Sequence, residues 1–111
     1  MAVRTKLLAS GRNTSATAVV VYTVPLLETA IVKQIVLFNI NTTTATTLQL
    51  LMDTAANNQT VWAELAMASR LHLRLDMWQV LQPGMEIALA NTGAVGVNYW
   101  ISGTELEGVA D

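Results

Sequence analysis

His72, Arg74 and Asp76 stand two residues apart, and a histidine beside a carboxylate is a common basis for proton transfer. On a β-strand such residues share a face but lie about 6.6 Å apart along the axis. That is too far for the close histidine–carboxylate bond of a catalytic triad. No serine sits in a nucleophile elbow. The chain has no cysteine, so thiolate catalysis, disulfides and cysteine metal sites are excluded. His72 is the one histidine, and Asp53, Glu64 and Asp76 come from separate segments, so no metal set is expected. Glu105 and Glu107 have the spacing of a carboxylate pair, as in glycoside hydrolysis, but near the end of the chain they read as solvated. Pro83-Gly84 is a turn, not a phosphate cradle. The expectation is a non-enzymatic chain without a cofactor or metal.

The elements that must carry these residues alternate with period two. Leu71, Leu73, Leu75 and Met77 share one face, against His72, Arg74, Asp76 and Trp78. Val61, Ala63, Leu65 and Met67 oppose Trp62, Glu64, Ala66 and Ala68. Val95, Val97, Tyr99 and Ile101 oppose Gly96, Asn98, Trp100 and Ser102. Such alternation marks half-buried strands. Each tryptophan falls with the polar set, where a large apolar ring calls for a cover. Three readings stay open for Trp62, Trp78 and Trp100. They are anchors of a protein interface, core residues returned inward by a β-bulge, or platforms on which a sugar stacks.

Composition points to association. Charged residues are 13% and hydrophobic residues 52% of 111, whereas a soluble chain carries roughly 25% charge. A domain of this size leaves about a third of its unfolded surface exposed, so the low supply of charge fits burial in an assembly. A surface rich in threonine and asparagine is the plainer explanation. The net charge of −2 leaves no footprint for nucleic acid. No apolar run approaches the roughly 18 residues of a membrane span, and no secretory signal is visible. Arg4 and Lys6 lie early in the chain and Glu105, Glu107 and Asp111 late, so a basic arm can meet an acidic tail, its own or a neighbour's.

Along the chain, Val3 to Ala9 reads as a strand and Ser10 to Ala16 as a loop. Thr17 to Val24 is a strand ended by Pro25. Thr29 to Phe38 is apolar on both parities and reads as covered on both faces. Asn39 to Ala45 is a loop whose Asn-Thr run favours side-chain to backbone bonds. Thr46 to Asp53 alternates, 54–58 turns, and Gln59 to Ser69 reads as strand over helix. Leu71 to Val80, Met85 to Ala90 and Ala94 to Leu106 are strands, separated by turns at Gln82-Pro83-Gly84 and Asn91-Thr92-Gly93.

The fold class is all-β: an antiparallel β-sandwich, jelly-roll-like, with about eight strands. Residues 1–16 form an N-terminal strand or arm and loop, 17–106 the β-sandwich domain and 107–111 a tail. The expected core is Leu48, Leu50, Leu71, Leu73, Leu75, Ile87, Leu89, Val97 and Ile101.

Two stretches carry a resemblance. Tyr22-Thr23-Val24-Pro25, followed by Thr29-Ala30-Ile31-Val32-Lys33-Gln34-Ile35, an Asn-Thr loop and a Thr/Leu strand, resembles a small β-sandwich module of tailed-bacteriophage virion proteins. Residues 81–106 resemble the module's ending: a Pro-Gly turn, a strand, a glycine-containing hairpin and a closing strand with Ser-Gly-x-Glu, here Ser102-Gly103-Thr104-Glu105. The stretches span about half of the chain. The sequence departs at Leu26-Leu27-Glu28, where such modules commonly carry Ala-Gly-Lys, and two leucines stand at a loop tip. The resemblance implies a virion structural protein, a capsid cement or decoration protein stabilising the head shell as a homotrimer. The alternative it implies is a tail-tip or fibre-base module that attaches to a receptor or glycan through exposed tryptophans. Its partners would be other copies and the major capsid protein or other virion proteins, with no nucleic acid or membrane. It would be made in the host cytoplasm and reside on the virion. The expected interface residues are Trp62, Trp78, Trp100, Leu26, Leu27, Arg4 and Lys6.

Overall fold

A computed structural model describes residues 3–53, 61–92 and 96–107. The expected turn at 54–58, Gly93, Val95, the tail at 108–111 and the side chain of Arg4 lie outside the described residues.

Eight strands follow in order: β1 (Val3–Asn13), β2 (Val19–Thr23), β3 (Glu28–Asn39), β4 (Thr46–Asp53), β5 (Val61–Met67), β6 (His72–Leu81), β7 (Glu86–Asn91) and β8 (Val97–Glu107). They form two four-stranded sheets, ordered β1-β8-β3-β6 and β2-β7-β4-β5, here called sheets A and B. Every pairing is antiparallel. β1 pairs with β8, β2 with β7, β3 with β6 and β4 with β5, like one long hairpin folded over on itself. Successive rungs of that hairpin alternate between the sheets, which is jelly-roll topology.

The period-two pattern decides which side chains fill the sandwich. Ile35, Leu37, Leu48, Leu50, Met67, Leu81, Ile87, Leu89, Val97 and Ile101 are fully buried between the sheets. Six of the expected core residues are among them. Leu71, Leu73 and Leu75 are half-buried and pack against this cluster, because β6 is an edge strand and Leu71 sits in the turn before it. The segment 61–67 is strand despite its helix-favouring Ala, Glu, Leu and Met, since its alternation matches the pleat.

Three local expectations are corrected. β3 is not covered evenly on both faces. Its register shifts between Val32 and Gln34 against both neighbours, so inward residues are Ala30 and Val32 before Lys33, and Ile35 and Leu37 after it. A bulge, not a second cover, explains the apolar residues on both parities. β1 continues through Gly11 to Asn13. The ring of Tyr99 lies over Gly11, where a Cβ would stand 2.9 Å from the phenol oxygen, so this glycine serves close packing, not a loop. Glu105 is buried, not solvated.

Asparagines pin the loops. Asn39, fully buried, donates to the carbonyls of Thr44, Met67 and Ala68, and its Oδ1 accepts from the backbone and side-chain amides of Asn41. One side chain thus ties the β3–β4 loop to the β5–β6 turn.

Candidate interaction surface

The outward side chains of sheet A lie in rows set by the register. One row runs Ser10, Trp100, Val36, Arg74; the next runs Arg12, Asn98, Phe38, His72; on the other side lies Leu7, Ser102, Gln34, Asp76. This face carries Trp78, Trp100, Leu7 and Val80, all exposed. Val19 and Val20 on β2, and Val61 on β5, are exposed on sheet B.

The tryptophans divide. Trp78 is 67% exposed and Trp62 and Trp100 each 41%, so none of the three returns to the core, although Trp62 is itself the extra residue where β5 shifts register against β4. Trp78 stands beside the register shift of β3, with the Lys33 ammonium 5.1 Å from its ring centroid. That distance is within cation–π range. Trp100 walls a groove of about 500 Å³ with Ser10, Gly11, Arg12 and Asn98. There the Arg12 Nε donates to Asn98 Oδ1 at 3.2 Å. Trp62 lies apart from both, at the open side of the sandwich. Its indole N–H reaches from β5 of sheet B to Gln79 Oε1 on β6 of sheet A at 3.1 Å.

Leu26 and Leu27 form the tip of the turn between β2 and β3 and are 79% and 81% exposed. The Glu28 amide donates to the Pro25 carbonyl across the turn at 3.2 Å. Leu27 holds φ 69°, the conformation for which glycine is the ordinary choice, at a cost of about 1–2 kcal/mol for a residue with a Cβ. The turn therefore keeps the geometry of a glycine turn without the glycine. The neighbouring Gln82–Met85 turn braces it: Val24 N donates to Met85 O and Gly84 N to Val24 O.

The two charged ends meet within one chain. β1 pairs with β8 from Val3 to Asn13, so of the two readings of this segment, strand or arm, it is an edge strand of its own sheet. Lys6 Nζ lies 3.0 Å from Glu105 Oε1, and the Tyr22 hydroxyl donates to Glu105 Oε2 at 2.6 Å. Arg4 faces Glu105 in the backbone register. Lys6 is thus committed to the fold, although its side chain is 45% exposed.

His72, Arg74 and Asp76 do not assemble a reactive site. Arg74 pairs with Asp76 at 3.1 Å in full view of solvent, and Asp76 also accepts from Gln34. His72 lies against Phe38, ring centroids 6.5 Å apart. Lys33 and the Arg12–Asn98 pair were not anticipated. A lysine inside an apolar strand, Val32-Lys33-Gln34, was the one trace of the bulge. Nothing local links Arg12 to Asn98, since the contact spans the β1–β8 pairing.

No family model matches the sequence, and no curated protein matches it. Among solved structures, Eiger TNF from S. frugiperda is similar, with a TM-score of 0.39 and 15% identity over 83% of this chain and 65% of that one. The chain thus spans a little under two thirds of the length of the structure it matches.

Proposed function

We propose that this chain is a non-enzymatic structural protein of a tailed-phage virion, a cement or decoration protein that binds the assembled head shell as a homotrimer. The observation that carries this reading is the exposed apolar set on the outer face of sheet A, Trp78, Trp100, Leu7 and Val80. These side chains stand on a rigid two-sheet scaffold, and large exposed aromatics are the side chains that dominate protein interfaces. Binding only to the assembled shell would stabilise the shell by mass action. The partners are other copies and the major capsid protein or another virion protein. The chain is made in the host cytoplasm and works on the virion. Counting copies per purified particle by quantitative gel, with the labelled chain imaged on the particle, tests this. A count in the hundreds, with label on the head, is expected; a handful of copies or label on the tail sinks it.

A second reading is favoured by one observation: Trp100 shares its groove with Ser10, Arg12 and Asn98, polar groups of the kind that would hold a sugar stacked on the ring. The chain would then be an attachment module of a tail tip or fibre base. Binding on a glycan array that disappears in Trp100→Ala supports that reading, and an array without any binding removes it.

A further inference from the structure

We infer that two copies of this chain pair edge to edge through β6, antiparallel and centred on Leu75, so that their two A sheets become one continuous sheet. This contact goes beyond the trimer proposed above: it uses the edge of sheet A rather than its outer face, and joins one trimer to the next. β6 ends its sheet and pairs with β3 alone, so the backbone N–H and C=O groups on its other side are a template for a further strand. The inward Leu73, Leu75 and Met77 pack against the core but stay half-buried, and a strand added beside β6 would cover them. Toward the Trp62 end the side is taken, since Gln79 accepts from Trp62 and donates to the Val80 carbonyl. The stretch left for pairing is residues 72–78. Burial alternates residue by residue from His72 to Val80. Met77 and Trp78 therefore keep their faces although the register against β3 shifts opposite them.

The order of residues in β6 selects both the occupant and the register. Read in opposite directions from Leu75, the strand meets its own complement. Arg74 stands opposite Asp76 of the second copy, Leu73 opposite its Met77, and Leu75 opposite itself, and the two-fold makes each contact twice. Outward side chains must meet outward ones in a continuous sheet, so the centre falls on a residue. A centre on Arg74 sets two arginines opposite each other, and a centre on Asp76 sets two aspartates; like charges directly opposite are destabilising. Arg74 and Asp76 already pair within the chain at 3.1 Å, each 62% exposed, and Asp76 also accepts from Gln34. Edge pairing leaves those bonds in place and joins two exposed ion pairs into one cluster of alternating sign. The other edge strands lack this pattern: the charges of β1 are all basic, β2 has none and β5 has Glu64 alone. A single pair of short strands buries less than the about 1,000 Å² of a stable interface. The pairing therefore needs high local concentration, as between neighbours on one surface, and leaves a micromolar trimer undisturbed.

Sedimentation at submillimolar concentration reads the pairing as a doubling of mass. It is run on Trp100→Ala, where the doubling is from monomer to dimer; chains that stay trimeric would double to hexamers, so a failure of the face reading leaves the edge reading testable. In that background Arg74→Asp and Asp76→Arg should each pair about tenfold more weakly or worse, because each sets like charges opposite its own copy. An equimolar mixture of the two should recover the pairing, since an acidic strand then meets a basic one. The in-chain ion pair is lost in both variants, mixed or not, so a merely structural role would show no recovery. The chain is free of cysteine, and Leu75→Cys should crosslink to itself under mild oxidation, its Cα about 4.5–5.5 Å from that of its copy and within disulfide reach. Leu73→Cys, four residues from its copy along the paired strand, should not. Three results overturn the inference: no doubling up to submillimolar concentration, a mixture that pairs no better than either variant alone, or Leu73→Cys crosslinking as readily as Leu75→Cys.

Discussion

Tyr22 and Glu105, 83 residues apart, meet across the sandwich in a 2.6 Å hydrogen bond from phenol to carboxylate. Tyr22 belongs to sheet B and Glu105 to sheet A, and Lys6 on β1 adds an ion pair to the same carboxylate. The Tyr-Thr-Val-Pro stretch and the Ser-Gly-x-Glu stretch, read separately as turn and strand signatures, are thus in contact through their first and last residues. Those residues hold the sandwich closed at the end where β1 and β8 carry the charges.

Removing the phenol oxygen should be costly because it leaves a buried carboxylate short of a donor. Tyr22→Phe is expected to lose about 1–3 kcal/mol of stability, read from the midpoint of urea unfolding. A variant as stable as the parent would mean that the carboxylate is satisfied without Tyr22.

Gly103 is the second residue of the closing motif with a steric reason. A Cβ there would stand 2.1 Å from the Ile31 carbonyl oxygen, where β3 shifts register against β8. The obstacle is backbone and cannot rotate away. Gly103→Ala should lose about 3 kcal/mol or more, the upper part of the overpacking range, or fail to fold. At Gly84 nothing stands within 4 Å of a Cβ, but φ is 83°, so Gly84→Ala should lose only about 1–2 kcal/mol, the left-handed backbone strain; thermal melts of the two compare collision with strain.

Burial raises the pKa of Tyr99 above the ordinary phenol value of 10.0. The unfolded chain then ionises first, so this tyrosine's contribution is fully present below about pH 10 and is lost as pH rises through the folded value. Stability measured against pH should fall on the alkaline side, and Tyr99→Phe should flatten that fall while changing little at neutral pH. An alkaline limb that persists unchanged in Tyr99→Phe would put its cause elsewhere.

Much of this arrangement was legible because a pleated strand has one simple rule. Alternation alone placed Leu48, Leu50, Ile87, Leu89, Val97 and Ile101 inside and all three tryptophans outside. Bulges broke the rule where it failed. Nothing near Lys33 or Leu8 fixes which residue is the extra one, because a register shift is decided by the facing strand. Glu105 read as solvated because its partners, Tyr22 and Lys6, are distant in sequence and are delivered by topology. Leu26 and Leu27 stood out as apolar residues in a turn, but their exposure and the strain at Leu27 are properties of the folded turn. The Trp100 groove needed the β1–β8 pairing before Arg12 and Asn98 could be seen together.

Association through the outer face of sheet A is the central claim, and sedimentation of the purified chain with and without Trp100 tests it most directly. The parent is expected to sediment at three times the 12.0 kDa chain mass in the micromolar range. Trp100→Ala, at a half-exposed position, is expected to sediment as a monomer while melting at the parent temperature. A parent that stays monomeric throughout that range, or a Trp100→Ala trimer as tight as the parent's, would contradict it.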